Sequence, residues 1–468
     1  MRGILSNLIR ATGSNLLNAL VSILIILILP KKLDIEQYGM YQLYIFYISY
    51  ASYLCLGWPD GILLRHGGKK YEDLNYGMYK MLWYIYLFFI ALIGLGIEAI
   101  VMVNYTEFGT RKIIYFFVGM DVLIDLPKTY LRYILQMTNK IKEYVQPLLV
   151  EKICVIIMFL LCCLMGANNF IIFILIDLVG KIISLICSMY ACKNIIFAKA
   201  TSFDIAFHEG KENIKVGIKL MVANVASMLI IGVVRFSIEK QWNISTFGKI
   251  SLTLSISNML MIFIRAVGVV FFPILCRIDK SKISDIYHVL RTVLMIPLLG
   301  ILVFYYPAKE VLSVWIPQYE DGLKYMAILF PMCIYESKMS MLIETYIKTL
   351  RKEKWLLNIN IFTVGLSIAL SSYTAVYLHN LNYTVAIIVF LLAFRCVCAE
   401  IILTRSINLD ERKNIFLEIV LTIFFSVSGW FFGSIWTLGI YICVYLIYIY
   451  LQREEIKYSI RWIKEKNY

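Results

Sequence analysis

The run from Met78 to Val103 reads MYKMLWYIYLFFIALIGLGIEAIVMV, and Lys80 and Glu98 are its only charged residues. A helix that crosses the hydrocarbon core of a bilayer needs about 20 predominantly apolar residues. The run therefore predicts a transmembrane helix, and comparable runs recur along the whole chain.

The composition of the 468-residue chain agrees with this interpretation. Hydrophobic residues make up 60% of it and charged residues 16%, against about 25% charged residues in typical soluble domains. A soluble protein of this composition would expose large apolar patches to water. These values argue against a soluble enzyme, a disordered chain and a secreted disulfide module, and the unbroken apolar runs argue against a membrane β-barrel. The predicted fold class is an all-α polytopic membrane protein.

A hydropathy window of about 19 residues places the transmembrane helices. It predicts fourteen spans: Leu8 to Pro30, Gly39 to Trp58, Met78 to Val103, Ile113 to Gln136, Pro147 to Gly166, Phe170 to Tyr190, Val216 to Phe236, Ile250 to Leu275, Val289 to Tyr306, Leu323 to Thr345, Trp355 to Leu378, Tyr383 to Leu403, Ile415 to Phe432 and Ser434 to Leu451.

The basic residues orient these spans. One set of alternate connecting segments, which includes both chain ends, holds more than three times as many Lys and Arg residues as the other set. Because Lys and Arg collect on the cytoplasmic side of membrane proteins, this bias predicts that both termini are cytoplasmic. The net charge of +14 follows from the same rule, so it does not indicate a nucleic-acid partner.

The chain also carries the pattern of an internal repeat. Asn15 precedes Gly39 by 24 residues, and Asn224 precedes Gly248 by the same interval, with an aromatic residue before each of these glycines. The offset relates spans one to six to spans seven to twelve, which predicts two parallel lobes related by a pseudo-two-fold axis along the membrane normal. The predicted segments are an N-terminal lobe (1–190), a cytoplasmic amphipathic linker (191–215), a C-terminal lobe (216–404), and two further helices with a basic tail (405–468).

Catalytic, nucleotide-binding and metal-binding motifs are not found in the sequence. Gly68-Lys69 and Gly248-Lys249 lack the other residues of a P-loop, and the four histidines lie in predicted loops or at span ends. We therefore expect neither an enzyme nor a resident cofactor or metal ion.

Charged residues inside the spans are the informative ones, because an ionisable group at the centre of a membrane helix costs about 2.5–3.5 kcal/mol and should face a cavity or a partner. Arg265 has no acid within one turn of its own helix, and neither has Arg10, which lies near the inner interface. Self-neutralising structural pairs are the alternative for residues that have an opposite charge nearby. The further candidates are the stripe Asp121, Asp125, Lys128 and Arg132, the pair Asp177 and Lys181, the neighbours Glu336 and Lys338, and the single residues Arg235 and Arg395.

Two stretches resemble bacterial O-antigen and capsular oligosaccharide flippases, the polysaccharide transporters of the multidrug/oligosaccharidyl-lipid/polysaccharide exporter superfamily. The first runs from Tyr38 through Gly57-Trp58-Pro59-Asp60-Gly61 to Lys69, and the second from Phe247 to Pro273. The resemblance implies two six-helix lobes facing each other in a V. It also implies alternating access that carries an undecaprenyl-diphosphate-linked oligosaccharide from the inner to the outer leaflet of the bacterial cytoplasmic membrane for surface polysaccharide assembly. The partners that the resemblance implies are the polysaccharide polymerase and glycosyltransferases.

Related lipid II flippases hold the diphosphate with arginines in their first, second and eighth helices, which implies Arg10, Arg65 and Arg265 here. Guanidinium suits a phosphate because it presents a planar fork of donors and stays charged. We expect Arg65 at the cytoplasmic mouth, paired with Asp60, and Arg235 and Arg395 at a cavity or gate. If the energy comes from H⁺ or Na⁺ and not from the membrane potential, Asp121, Asp125 and Glu336 are the expected coupling residues.

Two alternatives remain from the sequence. One is a cation-coupled drug exporter of the same superfamily, although organic cations favour acidic walls. The other is a membrane-embedded polysaccharide polymerase or transferase, although the chain has neither a large outer loop nor a catalytic motif.

Overall fold

The computed structural model describes the backbone of residues 2–104, 109–275 and 283–466. Within these ranges the side chains of residues 2–12, 14, 15, 104, 260, 262–275, 283, 435 and 463–466 lie outside the description. The described residues form no strand and are almost wholly helical, so the chain is an all-α polytopic membrane protein, as predicted. Nine helical stretches of the described residues are long and apolar enough to cross a membrane, and two of these stretches each join two or more of the helices named below.

The chain divides into two compact units, Met1–Val225 and Ala226–Tyr468. The first, called the N-terminal unit below, contains short and long helices that follow the first six predicted spans. They are α1 (Arg2–Lys32), α2 (Ile35–Ala51), α3 (Trp58–His66), α4 (Tyr76–Asn104), α5 (Thr110–Met137), α6 (Ile141–Leu164), α7 (Phe170–Ala191), α8 (Lys193–Ile196) and the first part of α9 (Phe203–Gln241).

The second, called the C-terminal unit below, contains the rest of α9 and all later helices. They are α10 (Ile244–Leu275), α11 (Ile283–Ile301), α12 (Tyr305–Trp315), α13 (Glu320–Leu323), α14 (Met326–Leu329), α15 (Met332–Lys338), α16 (Glu344–Thr349), α17 (Glu353–Ser371), α18 (Leu381–Ser406), α19 (Arg412–Phe431), α20 (Ile435–Leu451) and α21 (Arg453–Lys466).

Every predicted span lies on helix, but the second span is broken. Helix α2 ends at Ala51, and the chain then passes through a 3₁₀ turn and two left-handed residues, Leu56 and Gly57, before α3 begins. Gly57 is required here for a second reason, because a Cβ atom on it would lie 2.6 Å from the backbone of Gly217. The break makes α3 a separate helix, and Arg65 is on it.

The tenth predicted span is also not one helix. Short helices α13, α14, α15 and α16 follow one another through this region, with Pro331 between α14 and α15 and a π-helical segment at Met339–Ile343. Proline has no N–H for the helix ladder, and a π segment shifts the register of the hydrogen bonds. These breaks change which side chains face the neighbouring helices.

The predicted linker 191–215 is mostly helical. Helix α8 is a single turn, and α9 then begins at Phe203 and continues without interruption through the seventh predicted span. The second half of the predicted linker is therefore the start of a long continuous helix. Phe203 and Phe207 in its first turns are exposed and stack on each other with ring centroids 5.4 Å apart.

Candidate functional site

The N-terminal unit buries a group of charges between α5, α6 and α7, called the N-terminal charge cluster below. It consists of Asp121, Asp125 and Lys128 on α5, Glu151 and Lys152 on α6, and Asp177 and Lys181 on α7. These three helices pack against one another in the unit. The spacing predicted the α5 stripe and the α7 pair, but it did not indicate Glu151 or that the groups would meet.

One half of this cluster has two acids and one base. Lys181 Nζ lies 2.6 Å from the Asp121 carboxylate and 2.8 Å from that of Asp177. The hydroxyl of Tyr44 on α2 donates to Asp177 at 3.1 Å and lies 3.3 Å from Asp121. Asp121 is 4% exposed, so its charge is compensated by protein groups and not by water.

The other half is balanced. Lys128 Nζ lies 2.6 Å from Asp125 and 2.9 Å from Glu151, and Lys152 lies 3.2 Å from Glu151. Two acids therefore face two bases here. We expected Asp125 as a coupling residue, but it forms an ion pair with Lys128 across one turn of α5. This is the self-neutralising structural pair that the sequence offered as the alternative.

In the C-terminal unit, buried Arg395 on α18 also binds two acids. Its Nη1 lies 3.2 Å from Glu336, its Nη2 lies 3.1 Å from Glu344, and its Nε donates to Asn360 at 2.8 Å. Arg395 is 2% exposed, and in the described structure its donors are directed at these groups. Glu336 is thus paired with Arg395 and not with Lys338.

Lys338 belongs to a second buried network, which sequence reasoning missed. Its Nζ lies 2.5 Å from Glu400 and 2.7 Å from Glu418, and Arg291 lies 2.8 Å from each of the same two acids. Arg291, Glu400 and Glu418 are single charges inside predicted spans, so the rule that selected Arg395 would have found them. Their pairing could not be predicted, because α11, α15, α18 and α19 are far apart in sequence.

This network extends to the last helix. His288 on α11 binds Glu411 at 2.5 Å through Nδ1 and contacts Glu455 of α21 through Nε2. Helix α21 lies in the segment that we predicted to be a basic tail, and it packs along α11 through these contacts. The contacts identify the C-terminal segment of the described chain as an integral part of the C-terminal unit.

Arg65 is held on the first turns of α9. Its Nη1 lies 2.7 Å from the Glu209 carboxylate and donates to Asn213 at 2.6 Å. His66 Nε2 lies 2.7 Å from the same carboxylate, and its Nδ1 lies 3.0 Å from Lys69. Burial lowers the pKa of His66, although the hydrogen bond to Glu209 opposes this. The Arg65 side chain keeps 26% of its surface exposed, so a ligand can reach it.

The expected pair of Asp60 and Arg65 is not formed, and this prediction was wrong. Asp60 accepts a hydrogen bond from the hydroxyl of Tyr133 on α5 at 3.2 Å, whereas Arg65 turns to α9. Residues five apart on a helix point in different directions, since i and i+5 differ by about 140° at 3.6 residues per turn. Asp60 therefore faces α5 when Arg65 faces α9.

Glycines bring α3 and α9 together at this point. A Cβ atom on Gly61 would lie 1.8 Å from the carbonyl oxygen of Asn213, and one on Gly217 would lie 1.9 Å from that of Gly57. The two backbones thus touch directly, one turn from Arg65. This contact fixes the distance across which Arg65 reaches Glu209 and Asn213.

The remaining predicted residues are placed as follows. Arg235, expected at a cavity or gate, lies within α9, donates to Ser251 at 3.0 Å and stands over the ring of Phe247. Arg10 and Arg265 lie in α1 and α10, but their side chains are outside the described part of the structure. Among the described residues, no group of three or more His, Cys, Asp or Glu could hold a metal ion.

Comparison with known proteins places this arrangement in a known fold. No protein-family model matches the chain. No curated protein sequence matches it either. Three similar solved structures are those of membrane transporters. The lipid II flippase MurJ, in an inward closed conformation, has a TM-score of 0.61 and 15% identity and covers 97% of this chain and 100% of its own.

Two further structures are similar. An inward-facing multidrug resistance transporter of the MATE family, in the MOP superfamily, has a TM-score of 0.59 and 10% identity, and covers 86% of this chain and 95% of its own. A MOP superfamily transporter from Pyrococcus furiosus has a TM-score of 0.52 and 11% identity over the same shares of the two chains. At these identities the likeness concerns the fold, and the chain has the fold of MOP superfamily transporters.

Proposed function

We propose that the protein is a flippase that moves an undecaprenyl-diphosphate-linked oligosaccharide from the inner to the outer leaflet by alternating access. The observation that carries this proposal is the extent of the likeness to the lipid II flippase, which leaves 3% of this chain and none of the other unmatched. The MATE transporter and the Pyrococcus furiosus transporter leave 14% of this chain unmatched.

The diphosphate would bind Arg10, Arg65 and Arg265. Support for Arg65 comes from its surroundings, since it is partly exposed and its charge partner is one carboxylate, Glu209. A diphosphate carries more negative charge than Glu209 and offers oxygens that suit the planar guanidinium fork. It can therefore compete with Glu209 for Arg65.

The paired acids favour this substrate over an organic cation. Asp121 and Asp125 bind buried lysines, and Glu336 binds Arg395. A cationic drug would have to displace these bases before it gained a negative partner, and that exchange costs the stability of a buried pair. The drug exporter is therefore the weaker proposal, and so is the polymerase or transferase, because the sequence carries no catalytic motif.

We further propose that both termini are cytoplasmic in the bacterial inner membrane, and that an H⁺ or Na⁺ gradient or the membrane potential supplies the energy. Among the acids expected in coupling, Asp121 is the better candidate, because it and Asp177 share the single base Lys181. The two acids at Arg395 have a second base, since Lys348 lies 3.1 Å from Glu344. Two acids and one base carry one net negative charge, so a further cation that binds to them neutralises the group.

Deletion of the gene tests the proposal. Mass spectrometry of the membrane lipids should show that a diphosphate-linked oligosaccharide accumulates in the deletion strain and returns to its normal amount on complementation. Arg265→Ala should fail to complement although the protein reaches the membrane, and Arg265→Lys should complement in part. A deletion strain with normal lipid-linked sugars and altered drug susceptibility would overturn the flippase and support the exporter.

A further inference from the structure

An apolar groove of about 840 Å³ lies in the C-terminal unit between α18 and α19. Its α18 wall is the stripe Ala386, Phe390, Ala393 and Val397, whose spacing of four, three and four residues places them on one helix face. Its α19 wall includes Ile423 and Val427. The volume is within the range of about 300–1,000 Å³ that is usual for small-ligand sites.

The groove is open on the side where a bilayer would lie. Phe390, Ile423 and Val427 are each about half exposed, and they belong to helices that are long and apolar enough to cross a membrane. From Asn382 to Cys398 it follows 17 residues of α18, a rise of about 24 Å at 1.5 Å per step. One leaflet of the hydrocarbon core is roughly 15 Å deep, so the groove is long enough for a lipid chain.

One end of the groove is polar and basic. Asn382 and Trp430 line both the groove and a neighbouring pocket of about 290 Å³ that also contains Lys249, Asp321 and Lys324. Lys249 lies 3.1 Å from Asp321, whereas the Lys324 ammonium stands 4.4 Å from the centroid of the Trp430 ring. Two lysines and one aspartate leave this end with one positive charge in excess.

The two parts of the groove fit the two parts of a phospholipid. The apolar walls suit an acyl chain, and the cation beside a tryptophan suits a phosphate headgroup. Tryptophan is enriched at the level of the headgroups, and a lysine close to the surface attracts an anionic lipid. We propose that this groove binds a membrane glycerophospholipid with an anionic headgroup, whose acyl chain lies between α18 and α19 and whose phosphate meets Lys324. The described lining of the groove and of the neighbouring pocket includes no arginine, and the proposal does not depend on the arginines proposed for the transported substrate.

Native mass spectrometry of the full chain in detergent tests the proposal with two lipids of equal chain length, phosphatidylglycerol and phosphatidylcholine. Phosphatidylglycerol should bind about fivefold more tightly, as expected for one lysine near the surface. Lys324→Gln should remove this preference. Lys352→Gln is the matched control, because Lys352 also stands over a tryptophan, Trp355, at 4.2 Å but is not part of the groove.

The apolar part has its own test. Ala393→Phe fills the middle of the groove and should weaken the binding of both lipids. Should this variant not fold, phosphatidylglycerol with a brominated acyl chain should quench the fluorescence of the wild type more than that of Trp430→Phe. Equal binding of the two lipids by the wild type, unchanged preference in Lys324→Gln, or tighter binding of undecaprenyl phosphate than of phosphatidylglycerol would overturn the proposal.

Discussion

Arg65 Nη1 lies 2.7 Å from the carboxylate of Glu209, and this ion pair joins the separate helix α3 to the start of α9. If a diphosphate displaces Glu209, removal of that charge should strengthen substrate binding. We expect Glu209→Gln to bind undecaprenyl diphosphate several-fold more tightly and Arg65→Ala to bind it about tenfold more weakly, as measured by microscale thermophoresis with the purified protein. A charge-assisted hydrogen bond contributes about 1.5–3 kcal/mol, which justifies this size.

Glu212→Gln is the control for this prediction. Glu212 lies three residues further along α9 and pairs with Lys215 at 3.4 Å, away from Arg65. Its substitution should leave the affinity unchanged. Equal affinities of the wild type, Arg65→Ala and Glu209→Gln would remove Arg65 from the substrate site.

The N-terminal charge cluster should contribute strongly to stability through Lys181. Lys181→Met leaves Asp121 and Asp177 buried without their base, and removal of one partner from a buried pair costs about 3–5 kcal/mol. We expect a clearly lower melting temperature in detergent, measured by tryptophan fluorescence. Lys142→Met, at an exposed position on α6, should change the free energy of unfolding by less than about 0.5 kcal/mol. A Lys181→Met protein as stable as the wild type would contradict this assignment.

Proton coupling through this cluster predicts different results for its two aspartates. Asp121 shares Lys181 with Asp177, whereas Asp125 and Glu151 face Lys128 and Lys152. Asp121→Asn should therefore make transport in vesicles less dependent on the proton gradient, and Asp125→Asn should keep that dependence. Wild-type transport that continues unchanged after a protonophore collapses the gradient would end the proton role of both residues.

The glycine contact between α3 and α9 should be intolerant of even one methyl group. Gly61→Ala would place a Cβ atom 1.8 Å from a backbone oxygen, so α3 must move. We expect the free energy of unfolding to fall by about 3 kcal/mol or more, and transport to be lost. Gly96→Ala is the matched control on α4, because no atom lies within 4 Å of its Cβ position. Similar melting temperatures for the two variants would contradict the close contact.

Sequence patterns were sufficient for the helices but not for their interruptions. Every predicted span lies on helix, because an apolar run of that length can make all its backbone hydrogen bonds within a bilayer only as a helix. The break at Leu56 and the π-helical segment at Met339–Ile343 depend on packing between distant segments, which hydropathy does not report. Pro331 indicates the break of the tenth span, but a hydropathy window of about 19 residues does not register a single proline.

The same limit applies to the candidate site. Single charges in apolar spans could be recognised one at a time, and the pair of Asp177 and Lys181 followed from its spacing. The partners of Arg395 and Lys338 are on other helices, so no local pattern indicated that they would pair with Glu344, Glu400 or Glu418. Asp60 shows the opposite error, because nearness along the chain suggested a pair with Arg65 that helix geometry does not allow.

We propose that the protein itself moves a diphosphate-linked lipid across the bilayer. Transport by the purified protein in liposomes tests this, and it is followed as the fraction of a fluorescent undecaprenyl-diphosphate-linked oligosaccharide that an outside quencher cannot reach. We predict that this fraction changes rapidly with the wild-type protein and slowly with Arg265→Ala. An exchange rate equal to that of protein-free liposomes would contradict the claim.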